Sequence, residues 1–194
     1  MTELFGYLSG VLIILAFIPY IRDIFLHKTK PERGSWLIWS ILGYIAFFSQ
    51  LAEGASYSLF LVGIQALGDT LVLALAVRYG IGGLVRRDIL GLLGAGVSLV
   101  FWYFTQEPAI ALFLVIFIDG IGGILTIIKT FEIPSTETVS SWFLTSLSGF
   151  FAALAVGSLN PILLAFPIYT CLVTLAIAIA EMVSSRRSKT VLAK

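Results

Sequence analysis

Cysteine and histidine are almost missing from this chain: Cys171 and His27 are the only ones among 194 residues. A lone thiol closes no disulfide within the chain. One imidazole and one thiol also rule out a thiolate or imidazole metal cage and disfavour Cys–His catalysis. Charge is scarce as well, at 12% of residues, where soluble domains carry roughly 25%. Hydrophobic residues make up 59% and the mean hydropathy is +1.03. A water-soluble fold of this length cannot hide so much apolar surface, so composition points to an integral membrane protein. The N-terminal MTELFGYLSG lacks a basic n-region, and no small-residue cleavage site follows a short apolar core. The first apolar run is therefore expected to remain as a membrane span.

What the chain has in abundance is long apolar runs. A spanning helix needs about 20 mostly apolar residues, and seven windows qualify or nearly so: about 3–25, 36–53, 57–78, 88–105, 108–129, 138–157 and 161–183. Helix breakers separate them, among them Lys-Pro-Glu-Arg-Gly, Tyr-Gly-Ile-Gly-Gly, Gln-Glu-Pro and Ser-Leu-Asn-Pro. The basic residues give an independent check on this count. All twelve fall at the ends of the first, third, fifth and seventh windows or after them: Arg22, Lys28, Lys30 and Arg33; Arg78, Arg86 and Arg87; Lys129; and Arg186, Arg187, Lys189 and Lys194. The loops after the second, fourth and sixth windows hold none. The positive-inside rule then predicts seven spans, with the N-terminus outside and the C-terminus cytoplasmic.

A phrase also repeats along the chain. Phe17-Ile18 leads through Lys28-Thr29 to Trp36, and Phe117-Ile118 leads through Lys129-Thr130 to Trp142. Gly43 and Gly149 follow their tryptophans at equal spacing, and Gly54 and Gly157 mark the next loops. Helices 1–3 are thus expected to echo helices 5–7, with helix 4 unpaired between them. Three spans reverse the chain direction, so one extra helix restores it and makes the two repeats parallel. The expected organisation is a bundle over 1–80, a linker helix over 81–107, a second bundle over 108–184 and a basic cytoplasmic tail over 185–194. On this alignment Pro19 stands opposite Asp119, and Asp69 opposite Leu172.

This 3+1+3 pattern resembles the PQ-loop superfamily, which includes the SWEET and SemiSWEET sugar transporters. The resemblance covers residues 5 to 183 or so and rests on architecture. Where such proteins carry Pro-Gln in the first helix of each repeat, this chain reads Pro19-Tyr20 and Asp119-Gly120. The proline is kept once and the glutamine at neither place. Lys-Thr-Lys-Pro-Glu-Arg-Gly-Ser-Trp is also similar to a phrase in bacterial membrane proteins of this type. The resemblance implies an all-α integral membrane fold of parallel triple-helix bundles. It also implies alternating-access transport of a small polar solute, with a polar residue of the third helix and an aromatic of the second at the substrate.

Few residues in the apolar runs could carry chemistry. Asp69 and Asp119 lie near the centres of helices 3 and 5, where a carboxylate costs about 2.5–3.5 kcal/mol to insert. Residues placed at that cost usually face a bundle interior or water, and they mark solute, ion or proton paths; the plainer account is a carboxyl held in place for packing. Gln65 shares the face of Asp69 one turn away, while Thr70 is turned about 100° off it. Trp39 lies one turn deeper than Trp36 and could stack on a flat ligand. Trp36 and Trp142 read as interfacial anchors and Trp102 and Tyr103 as belt residues. Pro19 and Pro167 break backbone bonds inside spans and are candidate hinges. Gly120, Gly122 and Gly123 allow close helix approach or local unwinding, and Gly6 and Gly10 form a GxxxG.

The expected function is a SWEET-like carrier in the inner (plasma) membrane. Its solute-binding residues would be Asp69, Asp119, Gln65 and Trp39, its gating residues Pro19 and Pro167, and proton coupling is left open. The expected partners are the lipid bilayer and a small-molecule solute, with no cofactor, no metal and no nucleic acid; a homo-oligomer is left open. The competing reading is a receptor or scaffold that does not transport, since KDEL receptors use a similar fold to bind a peptide tail. A membrane enzyme is disfavoured, because chemistry would rest on Asp69 and Asp119 alone.

Overall fold

A computed structural model describes residues 1–29, 31, 33–80, 86–132, 134–135 and 137–192. Lys30, Glu32, Lys194 and the glycine-rich turn at 81–85 lie outside the described residues, as do the side chains of Arg87, Trp102, Lys129 and Lys189. Among the described residues seven helices run in order: α1 (Thr2–Phe25), α2 (Arg33–Ala52), α3 (Leu59–Tyr79), α4 (Arg86–Thr105), α5 (Pro108–Glu132), α6 (Val139–Val156) and α7 (Pro161–Leu192). Six of them are long and apolar enough to cross a membrane. In α4 the apolar part is the shorter Leu92–Thr105. Their outward faces carry large apolar side chains, such as Val11, Leu71, Leu93, Phe113 and Ile179. Such a surface suits lipid, which competes with none of the internal backbone hydrogen bonds.

Local chemistry sets the helix ends. Pro108 and Pro161 open α5 and α7 at the first position, where a missing N–H costs nothing. The Asn160 side chain caps α7, its Oδ1 accepting from Ile162 N at 2.9 Å. Gly157 ends α6 in the left-handed conformation at φ +70°, and Gly54 takes φ +83° after α2. Both are positions where glycine avoids a Cβ clash.

Two expectations at these ends are corrected. α7 runs past the expected window of 161–183, through Arg186 and Arg187 to Leu192, because Arg, Lys and Leu are good helix formers and no breaker follows Ser185. Thr130 lies inside α5, whereas Lys28 and Thr29 follow the end of α1. The two Lys-Thr phrases therefore do not mark the same corner.

Packing follows a simple order. α3 lies against both α1 and α2, and α7 against both α5 and α6. The two sets of three meet along two seams, α1 on α6 and α2 on α5, and α4 rests on α5 and α2. Small residues allow the close approaches. A Cβ on Gly6 would stand 2.6 Å from Tyr57 Cβ, and one on Gly10 would stand 3.2 Å from Ile64 Cδ1. The GxxxG thus packs α1 onto α3 and the loop that precedes it. A Cβ on Gly43 would meet Ala66 of α3 at 3.1 Å, and one on Gly149 would meet the Cys171 backbone N of α7 at 2.7 Å.

Candidate functional site

The six helices outside α4 enclose a cavity of about 80 Å³. From α1 come Ile13, Phe17 and Tyr20; from α2, Trp36 and Trp39; from α3, Gln65 and Asp69. The other set supplies Asp119, Gly123 and Thr126 of α5, Ser141, Trp142 and Thr145 of α6, and five residues of α7 from Tyr169 to Ile177. Asp69, Asp119, Gln65 and Trp39, read from distant parts of the sequence, are all brought to this one space. Pro19 and Pro167 are not in its lining; each sits within an uninterrupted helix.

The cavity occupies one half of the bundle. Its lining comes from the middle and later turns of α1, α3, α5 and α7 and from the early turns of α2 and α6. That is the end bearing the α1–α2 and α5–α6 loops. Toward the opposite end the helices close over a dry cluster that includes Leu42, Ile45, Leu112, Val115, Ala152 and Phe166. Ser9 and Ser148, both fully buried, lock α1 to α6 there: each Oγ donates to the other's carbonyl, at 2.9 and 2.8 Å.

The two carboxyls have different surroundings. Tyr169 of α7 donates its hydroxyl to Asp119 Oδ2 at 2.5 Å. Asp69 is 6% exposed and has no hydrogen-bond partner among the described residues. Nearby, Gln65 Oε1 is buried without a partner. A polar group left so in a low-dielectric interior loses its hydration without replacement. Thr70, as its turned-away position predicts, donates to Ala66 O at 2.8 Å and lies outside the cavity.

Aromatic rings form the wall toward the loop-bearing end. Trp36 packs on Tyr20 with ring centroids 5.1 Å apart and meets Trp39 edge-on at 5.1 Å. Trp142 donates its indole N–H to Glu137 Oε2 at 3.0 Å. Here the sequence expectation is corrected, because Trp36 is 7% exposed and both it and Trp142 line the cavity. They sit one turn from Trp39 and Thr145 on the inward faces, and that geometry outweighs the general preference of Trp for headgroups. Tyr103 is 73% exposed, as a belt residue would be.

The glycines beside Asp119 serve close approach, since α5 is continuous through them. A Cβ on Gly122 would meet the Trp39 indole at 3.4 Å, and one on Gly123 would meet Val173 Cγ2 at 2.5 Å. Comparison with protein-family models, curated proteins and solved structures finds no match to this chain.

Other groups around the site carry structural duties. Arg33, one of the basic residues used for topology, caps α3: its guanidinium donates to the carbonyls of Ala76, Val77 and Gly80 at 3.0–3.2 Å, satisfying orphan groups at a helix C-terminus. Glu181 of α7, 1% exposed, accepts from Ser135 N at 2.7 Å and from Ser185 Oγ at 2.6 Å, tying down the α5–α6 loop. Among the described residues no three His, Cys, Asp or Glu side chains gather into a metal cage.

Three expected pairings fail on burial. Phe17 lines the cavity while Phe117 is 68% exposed, and Asp69 lines it while Leu172 is 61% exposed. Asp119 faces the cavity and Pro19 does not. The sequence reading also missed Tyr20, Tyr169 and Thr174. The available signal was the run of hydroxyls at helical spacing on α6 and α7: Ser141 and Thr145, Thr170 and Thr174.

Proposed function

We propose that this chain is a SWEET-like transporter built from two parallel triple-helix bundles, α1–α3 and α5–α7, joined by α4. The cavity between them would bind a small polar solute. The observation that carries this reading is a match of cavity-lining positions. Ile13, Phe17 and Tyr20 fall at one constant sequence offset from Asp119, Gly123 and Thr126, and the same offset takes Trp36 and Trp39 to Trp142 and Thr145. An offset one residue shorter takes Gln65 and Asp69 to Thr170 and Thr174, and takes Ala66, against Gly43, to Cys171, against Gly149. The helix packing supports the same pairing, since exchanging α1, α2 and α3 for α5, α6 and α7 turns each seam into the other. A pseudo-two-fold axis along the membrane normal with the site on it is how parallel-repeat carriers are built.

In this reading the structure is open toward, or occluded near, the loop-bearing end and sealed at the other. Transport consists of opening the sealed half, where Ser9 meets Ser148, while the aromatic end closes. Pro19 and Pro167 provide weakened backbone for that rocking. The distribution of basic residues supports a cytoplasmic side for the α1–α2 and α5–α6 loops, in a plasma-membrane protein with its N-terminus outside. Asp69, lacking a protein partner, is the residue most suited to hold a solute or a coupled proton. Purified protein in liposomes is expected to move a solute from a broad panel tested with and without a pH gradient, and Asp69→Asn is expected to abolish the flux. Binding without flux would support the receptor reading and sink the carrier.

A further inference from the structure

The cavity holds a carboxyl with no partner among the described residues, several hydroxyls already committed to other groups, aromatic faces and no basic side chain. A hydroxyl has one proton and two lone pairs. Thr126, Ser141, Thr145 and Thr174 each donate that proton to a backbone carbonyl, at 2.7–3.0 Å. Tyr169 gives its own to Asp119, and the Trp142 N–H goes to Glu137. These five hydroxyls therefore have only lone pairs left for a ligand, while the Tyr20 and Thr170 hydroxyls, the Trp39 indole N–H and the Gln65 amide remain as donors. Beside them stand the unpartnered Asp69 carboxyl and the unpartnered Gln65 Oε1. Among the described residues no Lys, Arg or His lines the space. A cation with N–H or C–H donors meets lone pairs, a carboxylate and aromatic faces together.

We infer that the cavity is a site for a small organic cation, an ammonium or methylated ammonium head that pairs with Asp69 and packs on the Trp36, Trp39 and Tyr20 rings. Attraction of a cation to such rings is strongest where water is excluded, and this cavity lies within the bundle. The inference rests on reading the cavity as a ligand site, and it names the ligand's charge.

Calorimetric titration of the full chain in nanodiscs tests it. Choline and ethanolamine are compared with their neutral counterparts, 3,3-dimethylbutan-1-ol and ethylene glycol, and with glucose. At least one cation is expected to bind about tenfold or more tighter than its neutral counterpart. Asp69→Asn is expected to remove that preference, and Asp69→Glu to retain part of it. Trp39→Leu keeps both carboxyls and is expected to weaken choline more than ethylene glycol, so the test does not depend on Asp69→Asn folding. Equal or tighter binding of glucose or of the neutral counterparts overturns the inference, and so does the failure of both cations to bind. The outcomes also separate it from the carrier reading. Cation binding without liposome flux sinks transport and leaves this site standing. Saturable glucose flux with no cation preference does the reverse.

Discussion

The two seams that join the helix sets differ at matched places. On α1 and α6, Ser9 and Ser148 are fully buried and exchange hydrogen bonds. Under the proposed repeat their counterparts on α5 and α2 are Val115 and Leu42, which are equally buried and wholly apolar. Further along, Ser141 of α6 donates to Ala16 O and Thr138 to Asp23 Oδ2, so polar contacts continue along that seam. In a bilayer, apolar contacts between helices are replaced by lipid contacts of nearly the same quality, and fit rather than hydrophobicity holds them. Interhelical hydrogen bonds are directional and separate in discrete steps. Under the proposed carrier reading, the α1–α6 seam is the one suited to open and close, and the α2–α5 seam, against which α4 rests, is the one suited to stay shut.

Substitutions on either side of the proposed axis sharpen this contrast. The largest effect is expected at Gly149, where an added Cβ would meet backbone atoms at 2.7 and 2.9 Å. Gly149→Ala is expected to cost about 3 kcal/mol. Gly43→Ala, whose Cβ would meet Ala66 at 3.1 Å, is expected to cost about 1 kcal/mol. Reversible unfolding in mixed micelles measures both, and equal losses would contradict the predicted difference between the two places. Leu42→Ala removes packing from the apolar seam and is expected to cost about 2 kcal/mol in the same assay. That is the low end for a buried Leu→Ala change, since only the fit and not the transfer to water is lost.

Smaller effects follow at the polar positions. Tyr169→Phe removes the donor to Asp119 and is expected to lower stability by about 1 kcal/mol. Asp69→Asn, which breaks no bond within the protein, should leave stability nearly unchanged and affect only binding. An equal loss of stability in both would contradict the different roles given to the two carboxyls. Ser148→Ala is the mildest, at about 0.6 kcal/mol for each hydrogen bond lost. Its more telling readout is the exchange of backbone amides near Ser9, which is expected to quicken without a matching change near Val115.

Much of the site was legible because a polar residue in an apolar run stands out. Asp69, Asp119 and Gln65 were visible as misfits, and Trp39 from its depth beyond Trp36. What stayed hidden was the register between the halves. The Lys-Thr phrases suggest one alignment, but α5 runs past Thr130 to Glu132 while α1 stops at Phe25, so that alignment pairs Phe17 with a residue on an outer face. Periodicity in a span that is apolar all round says little about which face turns inward. Tyr169 and Thr174 escaped notice for the same reason, as ordinary residues of an apolar helix whose meaning comes from what lies opposite. Trp36 and Trp142 were misplaced because a preference for headgroups was applied without knowing which way each helix faced.

The seam between Ser9 and Ser148 offers the most direct test of alternating access around Asp69. Their Oγ atoms lie 3.0 Å apart, close enough for paired cysteines to bridge after little adjustment. Ser9→Cys with Ser148→Cys, in a Cys171→Ser background, is to be placed in liposomes and the flux of the transported solute followed before and after oxidation. The account predicts that oxidation stops flux and that reduction restores it, while binding to the cavity persists. Undiminished flux through the fully cross-linked protein would contradict it.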